Sequence, residues 1–303
     1  MRRPVAISIC GVLLISSLLP RPLAGLVAQD NQRQVYVTVT DGKGTTVPGL
    51  TAADFQVREG GQDRVVTRVE PATARMRMAI LVEESLTPTG GVRQGLAQFI
   101  QRMQPHAEMS LVVMGLRNFK LVDYTTDIGA LFAAINAFSL YRHQQQLNNV
   151  SEGVFEAART IETERHERPV MVVVAQEMMQ QSSEAPHRVL DQIRKSGAQV
   201  EVVTVESGQA NVPVGSLTDM SGRAQILGDG SRQSGGRRIE VTALTAVPRA
   251  LQQVADGLLS QYRLTYSVPT GAKASDRLNV DLRRRGATLR APTRIAAMVP
   301  GAR

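Results

Sequence analysis

Apolar positions recur along this chain with two different periods, and the change of period divides it. From residue 77 to about 227, continuous apolar runs alternate with blocks whose apolar positions return every three to four residues. The runs read as strands buried on both faces and the blocks as helices that cover them. The pattern predicts strand 77–83, helix 91–104, and strands 109–115 and 118–124 joined by a tight turn at Arg117-Asn118. Helices 127–138 and 148–163, strand 170–175, helix 184–196, strand 198–205 and a short strand near Ala224 to Leu227 follow, and a helix at 245–259 closes the series. This order predicts an α/β fold with a doubly wound, mostly parallel, Rossmann-like sheet that needs one antiparallel edge strand.

The flanks follow period two. Val35, Val37 and Val39 alternate with polar residues, and Asp41-Gly42 and Gly60-Gly61 punctuate the run as hairpin turns. Residues 29–72 therefore form a small N-terminal β unit. Within it, Thr51-Ala52-Ala53-Asp54-Phe55 fits a capped single helical turn that drops Phe55 into a core. Gln261 to Tyr266, and the run from Asp276 through Arg283-Arg284-Arg285, supply two further strands in residues 260–303. The α/β part, residues 73–259, has no place for them in its sheet. They are expected to pair with residues 34–70 as a discontinuous β-sandwich, because isolated hairpins are marginal.

Residues 1–28 are a separate object. Arg2 and Arg3 precede the apolar run Val5 to Leu19, and Pro20 and the small residues Ala24 and Ala28 follow. This is the order of a secretory signal peptide, cleaved after Ala28 or Ala24. An uncleaved anchor is the rival, but the run is too short to span a bilayer core of roughly 30 Å well. The mature chain is thus expected in the periplasm or outside the cell, with no stable membrane span. Its only cysteine, Cys10, lies in the leader, so no disulfide supports the fold.

Composition narrows the function classes. A chain that is 43% hydrophobic and 20% charged is globular rather than disordered. No tryptophan and 4% aromatic residues leave little for stacking on bases or sugars. The net charge of +8 includes three leader arginines, and the remaining +5 is a mild excess. Arg283-Arg284-Arg285 and Arg237-Arg238 read as solvated charge blunting strand edges rather than as phosphate contacts. No nucleic-acid partner is expected.

Chemistry concentrates after strand 77–83, where Glu83, Glu84, Ser85 and Thr87 follow a buried run. Ligand sites of open α/β sheets lie at such strand ends. The run Glu83-x-Ser85-x-Thr87 resembles the first loop of the metal-ion-dependent adhesion site of von Willebrand factor A domains, whose pattern is Asp-x-Ser-x-Ser. The flanking segments, Val47-Pro48-Gly49-Leu50-Thr51 with Asp54 to Gly60, and Gln261 to Tyr266, resemble the bacterial VWFA-related subfamily. The resemblance implies that two hydroxyls bind Mg²⁺, that a threonine and an aspartate from later loops complete the shell, and that a partner's carboxylate fills the open position.

Carried over residue by residue, the resemblance is imperfect. Glu83 is longer than aspartate by a methylene, about 1.5 Å, against the strict geometry of Mg²⁺. Asn149 stands where the family has threonine, and Gln176 where it has the second aspartate. Glu83, Ser85, Thr87, Asn149 and Gln176 are thus the positions of a degenerate site, expected to be without metal, although Ca²⁺ tolerates irregular oxygen shells better. Glu84, Glu177 and Met178 are expected at the rim that meets a partner, Met178 because methionine adapts to varied surfaces.

Catalysis finds no constellation. His106, His143, His166 and His187 lack zinc spacing, no G-x-S-x-G elbow occurs, and Gly228-Asp229-Gly230 before Gly235-Gly236 reads as a flexible loop rather than a phosphate cradle. The expected function is an exported, non-catalytic module that binds another protein, without cofactor. The alternatives are a Mg- or Ca-dependent adhesion protein and a hydrolase on an α/β scaffold, which fold alone does not exclude.

Overall fold

A computed structural model describes residues 31–86, 90–138, 149–176, 182, 184–206 and 217–297. Strand β1 (Asn31–Asp41) opens the chain. A single 3-10 turn at Ala52–Asp54 then leads into β2 (Phe55–Glu59). The Asp54 carboxylate caps that turn by accepting the Thr51 backbone N–H at 2.8 Å and its hydroxyl at 3.0 Å, bonds that hold its pKa below the ordinary value. Phe55, just beyond, is buried. Strands β3 (Gln62–Arg64), β4 (Val66–Pro71) and β5 (Met76–Glu83) follow, then α1 (Gly90–Met103), β6 (Ala107–Met114), β7 (Phe119–Thr125), α2 (Ile128–Ala137) and α3 (Val150–Glu164). The chain continues through β8 (Pro169–Gln176), α4 (Pro186–Ser196), β9 (Gln199–Val205), α5 (Leu217–Gln233), β10 (Arg238–Val241) and α6 (Val247–Leu259). Strands β11 (Gln261–Val268), β12 (Leu278–Leu282) and β13 (Ala287–Arg290) complete it.

Six strands form the central sheet in the order β10-β9-β8-β5-β6-β7. All neighbours are parallel except β6 and β7, the antiparallel edge. Met78, Ile80 and Val82 of β5 pack with α1, α2 and α6 on one face, while Ala79 and Leu81 pack with α3, α4 and α5 on the other. Burial on both faces explains why β5 and β8 carry almost unbroken apolar runs. The fold is therefore the doubly wound class expected from the sequence.

One expected element differs. Ala224 to Leu227 lies inside α5 and the sheet's edge strand is β10, while Gly228-Asp229-Gly230 is helical rather than a loop. Residues 223, 226, 227, 230 and 231 are buried, a stripe of helical spacing, with Ile226 and Leu227 in the core. Packing along that stripe overrides the low helix propensity of two glycines.

The flanking strands form two further sheets, β13-β1-β11-β4 and β12-β2-β3, each mixing N-terminal and C-terminal segments. Val35, Val37, Phe55, Val57, Leu264, Tyr266, Leu278 and Val280 of both sheets share one core, which makes the pair a discontinuous sandwich. It hangs from the amino-terminal edge of the central sheet, since β4 runs into β5 and α6 into β11 there. Arg168, 4% exposed at the start of β8, fastens both connections. It donates to the carbonyls of Ala72 and Ala74 at 3.1 and 3.0 Å, to that of Leu258 at 2.7 Å, and to the Gln261 side chain at 2.8 Å. Burial pulls the Arg168 pKa down to about 10.

Candidate functional site

At the opposite, carboxyl-terminal edge, the strand order reverses between β5 and β8. Chain progress moves from β5 to β6 on one side and later from β8 to β9 on the other, so this is the switch point where α/β sheets open a crevice. Glu83 ends β5 and Gln176 ends β8, one on each side of that point.

Glu83 is fully buried, and its carboxylate is met by a fork. Arg223 Nη1 donates to Oε1 at 3.0 Å and Nη2 to Oε2 at 2.7 Å, with the Arg223 side chain 5% exposed. Glu83 Oε2 also accepts the Gln176 backbone N–H, and Arg223 Nη2 donates to the Gln176 carbonyl. The ion pair thus ties the ends of β5 and β8 to α5. Bidentate pairing satisfies both charges where water is excluded, which a single contact would not.

Arg223 was not among the residues singled out from sequence. Its partner is 140 positions away, and no motif carries that distance. Two weaker signals point to it: a buried acid at the end of an apolar strand demands a cation, and Arg223 occupies a core slot of the helical stripe in α5.

The other positions are placed as follows. Ser85 sits in a 3-10 turn at Glu84–Leu86 directly after β5, and its hydroxyl is buried without a hydrogen-bond partner among the described residues. Glu84, in the same turn, packs its carboxylate over Gly115, where any Cβ would collide with it. Asn149 precedes α3 and donates its side-chain amide to the Leu116 carbonyl at 3.3 Å. Ser151, two positions on, is wholly buried. Leu116, in the β6–β7 turn, is 44% exposed and puts apolar surface on this edge. Thr87, Glu177 and Met178 lie outside the described residues.

A divalent cation does not fit this donor set. Three donors are spent on the Glu83 carboxylate, and a guanidinium lies where an ion would have to approach it. Like charges at such range in a buried setting repel strongly. Gln176 turns its backbone, not an acid, toward the pair. Among the described residues, no group of three His, Cys, Asp or Glu side chains is spaced to hold a metal ion. A cavity of about 260 Å³ lies elsewhere, in the seam between sandwich and sheet, walled by Tyr36, Arg168, Gln199, Gln261 and Tyr266.

No family model and no curated protein matches the sequence. Among solved structures, proximal thread matrix protein 1 from the mussel byssus is similar at a TM-score of 0.49 and 11% identity, over 67% of this chain and 51% of that one. A second structure of that protein, described with a zinc-occupied MIDAS motif, gives 0.47 and 13%. This chain spans about half the length of the mussel protein. BatB from Bacteroides thetaiotaomicron gives 0.43 and 13% over 61% of this chain and 98% of that one. The SpRpn10 VWA domain gives 0.44 and 11% over 61% and 97%. Likeness of this degree adds nothing to the strand order and the helix-covered faces, on which the fold class rests.

Proposed function

We propose that the mature chain is an exported, non-catalytic protein-interaction module of the von Willebrand factor A type, of the bacterial VWFA-related subfamily. It docks another protein on the carboxyl-terminal edge of the central sheet without a metal ion. One observation carries this reading: the carboxylate at the position the resembling family uses for its ion is sealed by Arg223, at the switch point where ligands of such sheets bind. A surface whose charge is balanced internally recognises partners through shape, apolar contact and hydrogen bonds at its rim. Leu116 and Asn149 supply such a rim. Export follows from the order Arg2-Arg3, apolar run and Ala28 in the leader, which lies outside the described residues.

The test is position-specific photo-crosslinking in the native envelope. A crosslinker at Leu116 is expected to capture a protein equally well with a chelator or with Mg²⁺, while one at Arg284 in the sandwich does not capture it. Capture only from Arg284, or capture from Leu116 that vanishes with the chelator, overturns the reading.

A further inference from the structure

We propose that the seam between sandwich and sheet, at the amino-terminal edge of the central sheet, holds a basic groove that takes an acidic peptide segment of a protein partner. This site is separate from the carboxyl-terminal edge, and purified protein with a synthetic peptide tests it.

The groove is open, with a volume of about 900 Å³, and is walled by the C-terminal ends of α3 and α4 and by residues 274–277 ahead of β12. Arg165, Lys195 and Arg277 line it, all three exposed and without an ion pair among the described residues. The two acids of the wall are already engaged. Glu162 accepts the Gln192 amide at 2.6 Å, and Asp276 is held by Arg194 and Arg294 at 2.7 and 2.8 Å. The wall therefore carries cations that nothing within the molecule answers, and a concave surface of one charge sign gathers ligands of the other.

Part of this charge has a local explanation, since cations at the ends of α3 and α4 complement the helix dipoles. Arg277 caps no helix, and the backbone of Arg165 is a second observation. Both helices close on a residue in the left-handed region, Gly197 after α4 with φ 67° and Arg165 after α3 with φ 51°. Glycine adopts that conformation freely, whereas an arginine there is strained. In α4 the dipole is met by Arg194 and Lys195 ahead of the glycine; in α3 the arginine takes the glycine's own place. Arg165 is the one non-glycine residue with positive φ among the described residues, so its side chain is retained at a cost to the turn. The inner cavity of about 260 Å³ sets the rest of the ligand. Ser196, Gly197 and Ala296 wall both spaces, and Val35, Ile193 and Ile295 make the inner one apolar. Three cations on separate segments suit carboxylates spread along a chain, and the cavity suits an apolar side chain between them.

The purified mature protein is titrated at low salt with a dye-labelled peptide, acetyl-Glu-Glu-Leu-Glu-Glu-Leu-Glu-amide, and binding is followed by fluorescence anisotropy. The peptide is expected to bind and to weaken as salt rises. The same peptide with glutamine for every glutamate should not bind, and one with serine for both leucines should bind less well. Arg277→Glu and Lys195→Glu, both at exposed positions, are each expected to weaken binding by about tenfold or more. Arg165→Gly gives the turn its unstrained residue, so the protein folds and its weaker binding reports the lost side chain; Arg165→Lys should restore it. Arg284→Glu, beyond the other end of β12, should bind as the parent does. No binding of the peptide, equal binding of the glutamine peptide, or an equal loss in R284E overturns the proposal. So does full displacement of the peptide by inorganic phosphate at the peptide's own concentration, which would mark a site for a compact anion.

Discussion

Arg194 of α4 and Arg294 of the C-terminal segment reach one carboxylate, Asp276, at 2.7 and 2.8 Å, and so join the α/β part to the sandwich. Burial works to raise the Asp276 pKa, but Arg294 and Arg194 together hold it below the ordinary value. A depressed acid stabilises the fold above its unfolded pKa and loses that contribution as pH falls through the folded one. Asp276→Asn is therefore expected to cost about 1 kcal/mol near neutral pH, a modest figure because all three side chains are about a third exposed or less. The gap to the parent should narrow at pH values below the ordinary aspartate range. Urea midpoints of both proteins at neutral pH and near pH 3.5 check this, and an undiminished gap in acid would show that the carboxylate charge is not what matters. Glu83 and Ser85 were read from their place at a strand end, and Asn149 and Gln176 only through the resemblance; the structure puts Glu83 and Gln176 at the ends of neighbouring strands and Asn149 ahead of α3. Arg223 was not read, because its partner lies 140 positions away and the pairing is set by the packing of α5 rather than by any motif.

Helix α5 shows where periodicity misleads. Gly228 and Gly230 lower helix propensity enough that Ala224 to Leu227 reads as a strand between loops, yet residues 223 to 231 bury one helical stripe. The two kinds of glycine in this region make opposite expectations. A Cβ at Gly228 meets nothing within 4 Å, so Gly228→Ala should stabilise by about 0.5–1 kcal/mol. At Gly236, in the turn after α5, a Cβ would overlap the Val200 carbonyl oxygen of β9, so Gly236→Ala should cost about 2 kcal/mol or more. Thermal melting of the two variants decides it. A G228A protein that melts lower than the parent would mean the helix is not continuous through that residue. Apart from α5 and β10, the helices and strands of the α/β part were legible to within a few residues because each buries a continuous run or a clear stripe. The signal fails in α5, where glycine dilutes it, and in β10, a four-residue edge strand that is only partly buried and carries no continuous apolar run.

At the scale of the whole molecule, the sandwich is shared by N-terminal and C-terminal segments, and β1 and β4 find their strand partners only in the C-terminal one. Strand β11 lies between β1 and β4 and buries Tyr262, Leu264, Tyr266 and Val268. Each such side chain is worth about 1.5–3 kcal/mol, and together they rival the total stability of an ordinary domain, about 5–15 kcal/mol. Deleting residues 260–303 should therefore abolish cooperative melting of the sandwich core and raise binding of an apolar dye. A truncated chain that melts sharply at the parent's temperature would show that the N-terminal strands stand alone. The same pairing also imposes an order in time. Asn31 meets Val268, and the whole α/β part is strung between them. A chain made from its N-terminus at ~5–20 residues per second leaves β1 waiting on the order of tens of seconds for its neighbour. The α/β part is complete only once α6 has emerged, directly before β11. During that wait the backbone N–H and C=O groups of β1, and Val35, Val37 and Val39, stand open to any other strand. The hazard of pairing with a wrong chain during synthesis thus falls on the first strand, and a chaperone that acts on this protein has that segment to shield.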